Sequence, residues 1–310
     1  ITVANGTLAV MTSTDNITWT GTFTPTTNTE DDNNTLSLAT SYTDTAGNAG
    51  PAATTANYAV ETLAPTVNSV AISSASGVQN SLLNAGDNVS VTATFSESVI
   101  VDNASGTPTL TLVVGSDNRT STYTSGSGST PLVFQYTIQA GETDADGISI
   151  EANTLALNSG TIRDAAGNNA TITYSSVSAN TSYKVDNTAP SVDNFTLSDT
   201  ALKAGDTATV TLVFSEAVAS FSSAADITVA NGTLATMTSS NNVTWAGTFT
   251  PTANTEDANN TLSLATSYTD TAGNAGPAAT TANYAVETLA PTVSSLAITS
   301  ATGIQNNLLN

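Results

Sequence analysis

"ATVTLVF" at residues 208–214 puts Ala208, Val210, Leu212 and Phe214 on one parity, with Thr209 and Thr211 between them. Successive side chains of an extended chain point to opposite faces, so this is the pattern of a strand with one face on a core. "VSVTATF" (89–95) repeats it with Val89, Val91, Ala93 and Phe95. "ITWTGTF" (17–23) and "VTWAGTF" (243–249) are expected to bury Ile or Val, Trp and Phe at alternate positions. "TLTLVV" (109–114) and "TLSLAT" (35–40) follow the same rule, and "ANGT" at 4–7 and 230–233 carries a hairpin-turn signal. No segment shows a helical period.

Period two with Thr and Val enrichment predicts antiparallel sheets with one wet face. Several short strands per ~100 residues make an all-β chain of immunoglobulin-like antiparallel β-sandwiches in a linear array. The polar composition would suit disorder, but hydrophobic residues make up 39% and are placed periodically.

Self-similarity sets the organisation. Residues 1–84 align without a gap to 227–310, identical at 71 of 84 positions. Within this period of 226, "ETLAPTV" (61–67), "DNTAPSV" (186–192) and "ETLAPTV" (287–293) mark boundaries at Pro65, Pro190 and Pro291, spaced by 125 and 101 residues. Two unlike domains therefore alternate. The expected division is 1–65, a partial short-type domain without its first strands; 66–190, long type; 191–291, short type; and 292–310, the first strand of a further long-type domain. The opening "ITVANGTLAV" reads as the middle of a folded unit, so the chain is expected to be a window on something longer.

Acidic residues number 25 and basic residues 4, a formal charge of −21. Arg119, Arg163, Lys184 and Lys203 are too few to neutralise a phosphate backbone, which argues against nucleic-acid binding, and an anionic membrane surface would repel the chain. No apolar run is long enough to cross a membrane. With no Cys and no His, disulfides, Cys/His zinc sites and Ser-His-Asp or Cys-His catalysis are excluded.

The acids are not scattered. "FSE" is expected to end a strand at 95–97 and 214–216; "DTAGN" (44–48, 270–274) and "DAAGN" (164–168) precede the last strand; Glu61, Asp186 and Glu287 lie in the linkers. Strand alternation in a sandwich carries these features to one end. Glu97, Asp164 and Glu61 are expected to converge at one joint, and Glu216, Asp270 and Asp186 at the next. Asp44, Asn168, Asn274 and Glu287 complete the candidate ligands. Clustered carboxylates with backbone and Asn carbonyls make an oxygen-only site, which suits Ca²⁺ with its six to eight ligands; Mg²⁺ demands stricter octahedral geometry. Gly in "AGN" permits positive φ, letting the loop curl. Loops at the opposite end add Glu142, Asp144 and Asp146, Glu30 and Asp31, and Glu256 and Asp257. The competing reading is that "DTAGN" is only a turn, since Asp and Asn-Gly are common turn formers. Glu61 and Glu287 carry one methylene more than the linker Asp186.

"FSE", "D(T/A)AGN" and "DNTAP", recurring in order, resemble bacterial Ig-like repeat domains of giant calcium-dependent surface adhesins of the RTX and biofilm-associated type. The resemblance implies long extracellular arrays on the bacterial cell surface, often exported by type I secretion and rigidified by Ca²⁺ between domains. It places interdomain ligands on Glu97, Asp164, Asp186, Glu216 and Asp270. The function expected is a structural extender of an adhesin or surface fibre, with neighbouring repeats of the same chain as its partners. Alternatives are a self-assembling filament in which lateral copies dock or exchange strands, and a module whose Thr-rich faces or loops bind a glycan or protein. Glycoside hydrolysis by carboxylate pairs is the poorest fit, because the acids lie at joints and aromatics make up 5%. The "N-x-T/S" triplets follow from composition.

Overall fold

The computed structural model describes residues 1–297, 304–305 and 308–309, and falls into two compact units, Ile1–Asn187 and Thr188–Asn310. Strands take 47% of residues and helix 1%, so the chain is all-β, built of antiparallel sheets packed as Ig-like sandwiches.

In the first unit, residues 1–65 carry six short strands: β1 (Gly6–Leu8), β2 (Phe23–Pro25), β3 (Glu30–Asn34), β4 (Ser37–Leu38), β5 (Ala53–Thr54) and β6 (Tyr58–Glu61). They pair β1–β2, β3–β6 and β4–β5. The rest of the unit is larger. One sheet runs β10 (Thr109–Val114), β11 (Asp117–Ser125), β12 (Ser129–Thr137), β9 (Asn88–Asp102), with β7 (Val67–Ser76) and β14 (Thr161–Arg163) both on β9. A second sheet joins β8 (Leu82–Leu83), β15 (Lys184–Asp186) and β13 (Thr143–Asp144). Val89, Val91, Ala93 and Phe95 of β9 meet Leu110, Leu112, Leu132 and Phe134 in a fully buried core. The parity expected for "VSVTATF" and "TLTLVV" holds residue by residue.

The second unit has a four-stranded sheet, β16 (Val192–Leu197), β18 (Ala208–Phe214), β21 (Thr244–Pro251) and β20 (Gly232–Leu234). Facing it are β17 (Ala201–Lys203) with β25 (Tyr284–Glu287) and β22 (Glu256–Asn260), and β19 (Ile227–Val229) with β23 (Leu262–Leu264) and β24 (Ala279–Thr280). Its core gathers Val210, Leu212, Phe214, Phe221, Phe249, Tyr268 and Tyr284. Phe214 lies 4.9 Å from Tyr268 and Phe221 lies 4.9 Å from Trp245, ring centre to ring centre.

Several local expectations need correction. The β9 strand does not end at "FSE" but runs on to Asp102, because β14 extends the pairing beyond β7; in the second unit β18 does stop at Phe214. "ANGT" is not a hairpin: β19 pairs with β23 while β20 pairs with β21, so the chain changes sheets at this corner. Asn231 takes φ +46° there, as does Asn5. "TLSLAT" forms only Ser37–Leu38. A four-residue helix, α1 (Ser223–Asp226), is present. "ITWTGTF" does not bury its apolar parity: Ile17 and Trp19 are exposed, since residues 1–65 contain no counterpart of the strands that cover Val243 and Trp245. The strand expected in 292–310 lies largely outside the described residues; 292–297 have no regular structure, and β26 (Ile304–Gln305) pairs with β27 (Leu308–Leu309).

Candidate metal centre

The "FSE" motif divides three tasks among three residues. Phe95 and Phe214 are core side chains. The serine fastens the linker: the Thr66 N–H donates to Ser96 Oγ at 3.0 Å while the Ser96 N–H donates to the Thr66 carbonyl at 2.8 Å. Ser215 and Ser191 repeat this reciprocal pair at 2.9 and 3.0 Å. The glutamate, half-buried, stands at the joint. Sequence reading weighed only the acid. The signal for the serine was present in its fixed position directly after the last core residue, Phe95 or Phe214.

The first joint lies wholly inside the first unit. The register Arg163↔Ile100 draws the "DAAGN" loop alongside the segment that carries Glu97. The loop then grips the linker, as the Thr171 N–H donates to the Pro65 carbonyl at 2.7 Å and the Asn168 amide to the Glu61 carbonyl at 3.2 Å. Glu61 itself faces Glu30 across the β3–β6 pair, and one of its carboxylate oxygens accepts the Leu63 N–H at 2.8 Å. Like charges opposite one another on a sheet are unfavourable. Burial, and then the negative charges of Glu61, Asp164 and Glu30, push the Glu97 carboxyl above its ordinary range. Glu97 thus lies within electrostatic reach of Glu61, Asp164 and Glu30.

The "D(T/A)AGN" loop closes on itself in all three copies. Asp164 Oδ1 accepts the N–H groups of Gly167 and Asn168 at 2.7 and 2.8 Å, and its Oδ2 accepts the Asn168 amide at 2.7 Å. Asp270 does the same with Ala272 and Asn274, and Asp44 with Ala46 and Asn48. The central glycine has φ +91°, +98° and +94° at Gly47, Gly167 and Gly273. These aspartates are turn locks in their own right, whatever else they bind. Burial raises the Asp164 carboxyl, but the hydrogen bonds from Asn168, Gly167 and Ala166 outweigh it and hold it below the usual carboxylate range. Asp44 is held low chiefly by the Asn48 side chain. Because the Asn168 amide donates both to Asp164 and to Glu61, its oxygen remains an acceptor.

In the second unit the bridge Val218↔Asp270 fixes Asp270 beside the end of β18, and carboxylate oxygens of Glu216 and Asp270 come within 4.8 Å. Asp270 is fully buried, whereas Asp44 and Asn48 are exposed. Asp186 ends β15, half-buried, where Thr143 pairs with it. Glu256 faces Glu287 as Glu30 faces Glu61, and the two line an open cavity of about 570 Å³ with Leu289, Ala290, Pro291 and Thr292.

Several acids of the other loops are engaged in holding their own turns. Asp31 and Asp257 accept the amides of Asn5 and Asn231, which also reach Asn34 and Asn260 at 2.7 Å. Glu142 is buried in an ion pair with Arg119 and accepts the Tyr136 hydroxyl and the Gln139 N–H. Asp144 accepts the N–H groups of Gly115 and Gly147. Asp146 is exposed.

The model of the bacterial Ig-like domain matches residues 1–60 and 186–286, the short-type copies together with the linker that precedes the second. No curated protein matches the chain. With the sandwich architecture and the family match covering more than half of its length, the chain belongs to the bacterial Ig-like domain family.

Proposed function

We propose that the chain is a structural spacer of an extracellular bacterial surface protein, an adhesin or surface fibre, and that Ca²⁺ bound at its domain junctions stiffens it. The observation that supports this most is the Glu97 carboxyl, raised first by burial and then by the charges of Glu61, Asp164 and Glu30, at the point where the Glu61 linker enters the larger sandwich. A bound cation would relieve the repulsion among these carboxylates. The donors are all oxygens: Glu97, the second oxygens of Glu61 and Asp164, and the amide oxygen of Asn168. That set suits a hard cation with flexible coordination. The proposal extends to Asp186, Glu216 and Asp270, which hold the sequence positions of Glu61, Glu97 and Asp164, and to Glu287 with Asn274. Near-identical repeats suit a role set by length and stiffness, in which no single copy is special.

Calorimetric titration of the decalcified chain with Ca²⁺ tests the reading. Saturable binding whose stoichiometry falls in Glu97→Gln is expected; a flat titration at millimolar Ca²⁺ overturns it.

A further inference from the structure

In the larger sandwich of the first unit the bonded strands run β7, β9, β12, β11, β10. From β10 the pairing passes to 149–156 through Thr109↔Ala156 and Val113↔Ser149, and then to 177 through Ile150↔Val177. The other end of segment 171–177 is fastened where β7 begins. The Thr171 N–H donates to the Pro65 carbonyl at 2.7 Å, and Thr66 bridges Thr171. Between these fastenings the segment parts from β7. Across 172–176 the main chain makes one hydrogen bond among the described residues, from the Tyr174 N–H to Asn153 Oδ1 at 2.8 Å. The parting leaves an open groove of about 550 Å³, with 67–70 on one bank and 173–177 on the other.

Tyr174 pins the bow in place. Its ring is buried in the core, and its hydroxyl accepts the Thr154 N–H at 3.0 Å and lies 2.6 Å from Thr154 Oγ1. Asn153 takes φ +59° at this turn. A groove held in this way is formed before a ligand arrives, so little ordering cost opposes binding.

The lining decides what fits. Asn68 and Ser69 stand on one bank and Thr173, Ser175 and Ser176 on the other, all exposed. None of these five side chains makes a hydrogen bond among the described residues. Val67, Val70, Tyr174 and Val177 form the more covered, apolar part. No charged side chain lines the groove, in a chain with 25 acids and 4 bases. It therefore has no counter-charge for a phosphate or carboxylate, and none for a metal ion or an amine. An apolar ligand would strip water from the five polar groups and return no bonds. A ligand with hydroxyls along its edges and C–H groups on its faces meets both parts of the lining.

We propose that the groove between 67–70 and 173–177 is a binding site for a neutral saccharide. Its hydroxyls bond to Asn68, Ser69, Thr173, Ser175 and Ser176, and its C–H face lies on Val70 and the Tyr174 ring. This is a role beyond that of a spacer, and it does not depend on calcium.

The test uses the full chain in EDTA, so that its outcome is separate from that of the calcium titration. Neutral tetrasaccharides of glucose, galactose and mannose are titrated into isotope-labelled protein. At least one should move the amide signals of Ser69, Thr173, Ser175 and Ser176 saturably, with a Kd of about 0.1–5 mM, as suits an open, uncharged groove. A uronic-acid tetrasaccharide should bind at least ~10-fold more weakly, repelled by the acidic chain. Ser175→Glu alters an exposed side chain with no bond to lose and should weaken binding at least ~10-fold, whereas Thr248→Glu in the second unit should leave it unchanged. No shift with any neutral sugar at about 20 mM overturns the proposal. So do shifts that survive Ser175→Glu, and equal binding of the uronic-acid sugar. Saturable binding of an uncharged Ser/Thr heptapeptide with no response to any sugar overturns it too, by showing that an extended peptide is the occupant.

Discussion

The side-chain amide of Asn168 donates to the main-chain carbonyl of Glu61 at 3.2 Å, joining residues 107 apart in sequence. The same amide holds Asp164, so one residue couples a loop to the linker that passes it. Asn168→Leu removes both bonds in a half-buried place and should cost about 1–2 kcal/mol of stability in the first unit. Asn48→Leu removes the same loop bond from an exposed copy and should cost under about 0.5 kcal/mol. Equal losses in denaturant titration would show that the grip on the linker contributes nothing.

Calcium should change both melting and dimensions. At a concentration ~100-fold above the dissociation constant, a bound ion stabilises the folded joint by about 2.7 kcal/mol. Chelation is expected to lower Tm and to alter the maximum dimension in small-angle scattering. In Glu97→Gln the metal-free protein should melt higher than the parent, since a like charge is gone, and should respond less to Ca²⁺. An unchanged scattering profile on chelation would count against the mechanical role.

Proton linkage has opposite signs at two neighbouring acids. Glu97 has a raised folded-state value, so its contribution is complete at low pH and is lost as pH rises through that value. Asp164 has a lowered value, so its contribution is present above the ordinary carboxylate range and is lost as pH falls through the lowered one. In metal-free buffer, the difference between parent and Glu97→Gln should therefore develop on the alkaline side of that range. For Asp164→Asn it should develop on the acid side. Thermal melts from pH 2 to 8 read both, and a reversal of the two would refute the assignment.

Glycine at 276 leaves room for a ring. A Cβ there would lie 2.1 Å from Tyr268, which is fully buried and donates its hydroxyl to the Pro277 carbonyl at 2.9 Å. Gly276→Ala should cost about 2–3 kcal/mol. Gly50→Ala meets Tyr42 at the same distance, but that ring is 43% exposed and can swing outward, so the cost should stay below about 1 kcal/mol. Urea titrations of the two variants compare them directly.

The serine of "FSE" should matter through the linker. Ser215→Ala loses the bond from the Ser191 N–H and should cost about 1 kcal/mol. Amide exchange at Ser191 should quicken several-fold while exchange in β18 stays unchanged. Protection lost throughout the sheet would mean the serine supports the core instead.

The sandwich was legible because core parity is a short-range property. Val89, Val91, Ala93 and Phe95 alternate with polar neighbours whichever strands lie beside them. Strand ends were less so, since β9 runs on past Glu97 where β12 and β14 receive it. The corner at Asn231 shows the limit of turn chemistry: "ANG" reports a left-handed residue, but not whether the strands on either side pair with each other. At the candidate site, loop spacing was enough to expect Glu61, Glu97 and Asp164 at one joint. It did not reveal that Asp31, Glu142 and Asp144 tie distant segments together, because their partners Asn5, Arg119 and Gly115 are 26, 23 and 29 residues away.

The Asp–Asn loop makes its closing bonds within its own five residues, and it keeps one geometry at Asp44, in solvent, and at Asp270, in the interior. A turn closed in this way forms its own bonds wherever a whole repeat is gained or lost. Unequal recombination can then adjust the reach of the polypeptide in steps of 226 residues. Each further copy arrives with this turn already set.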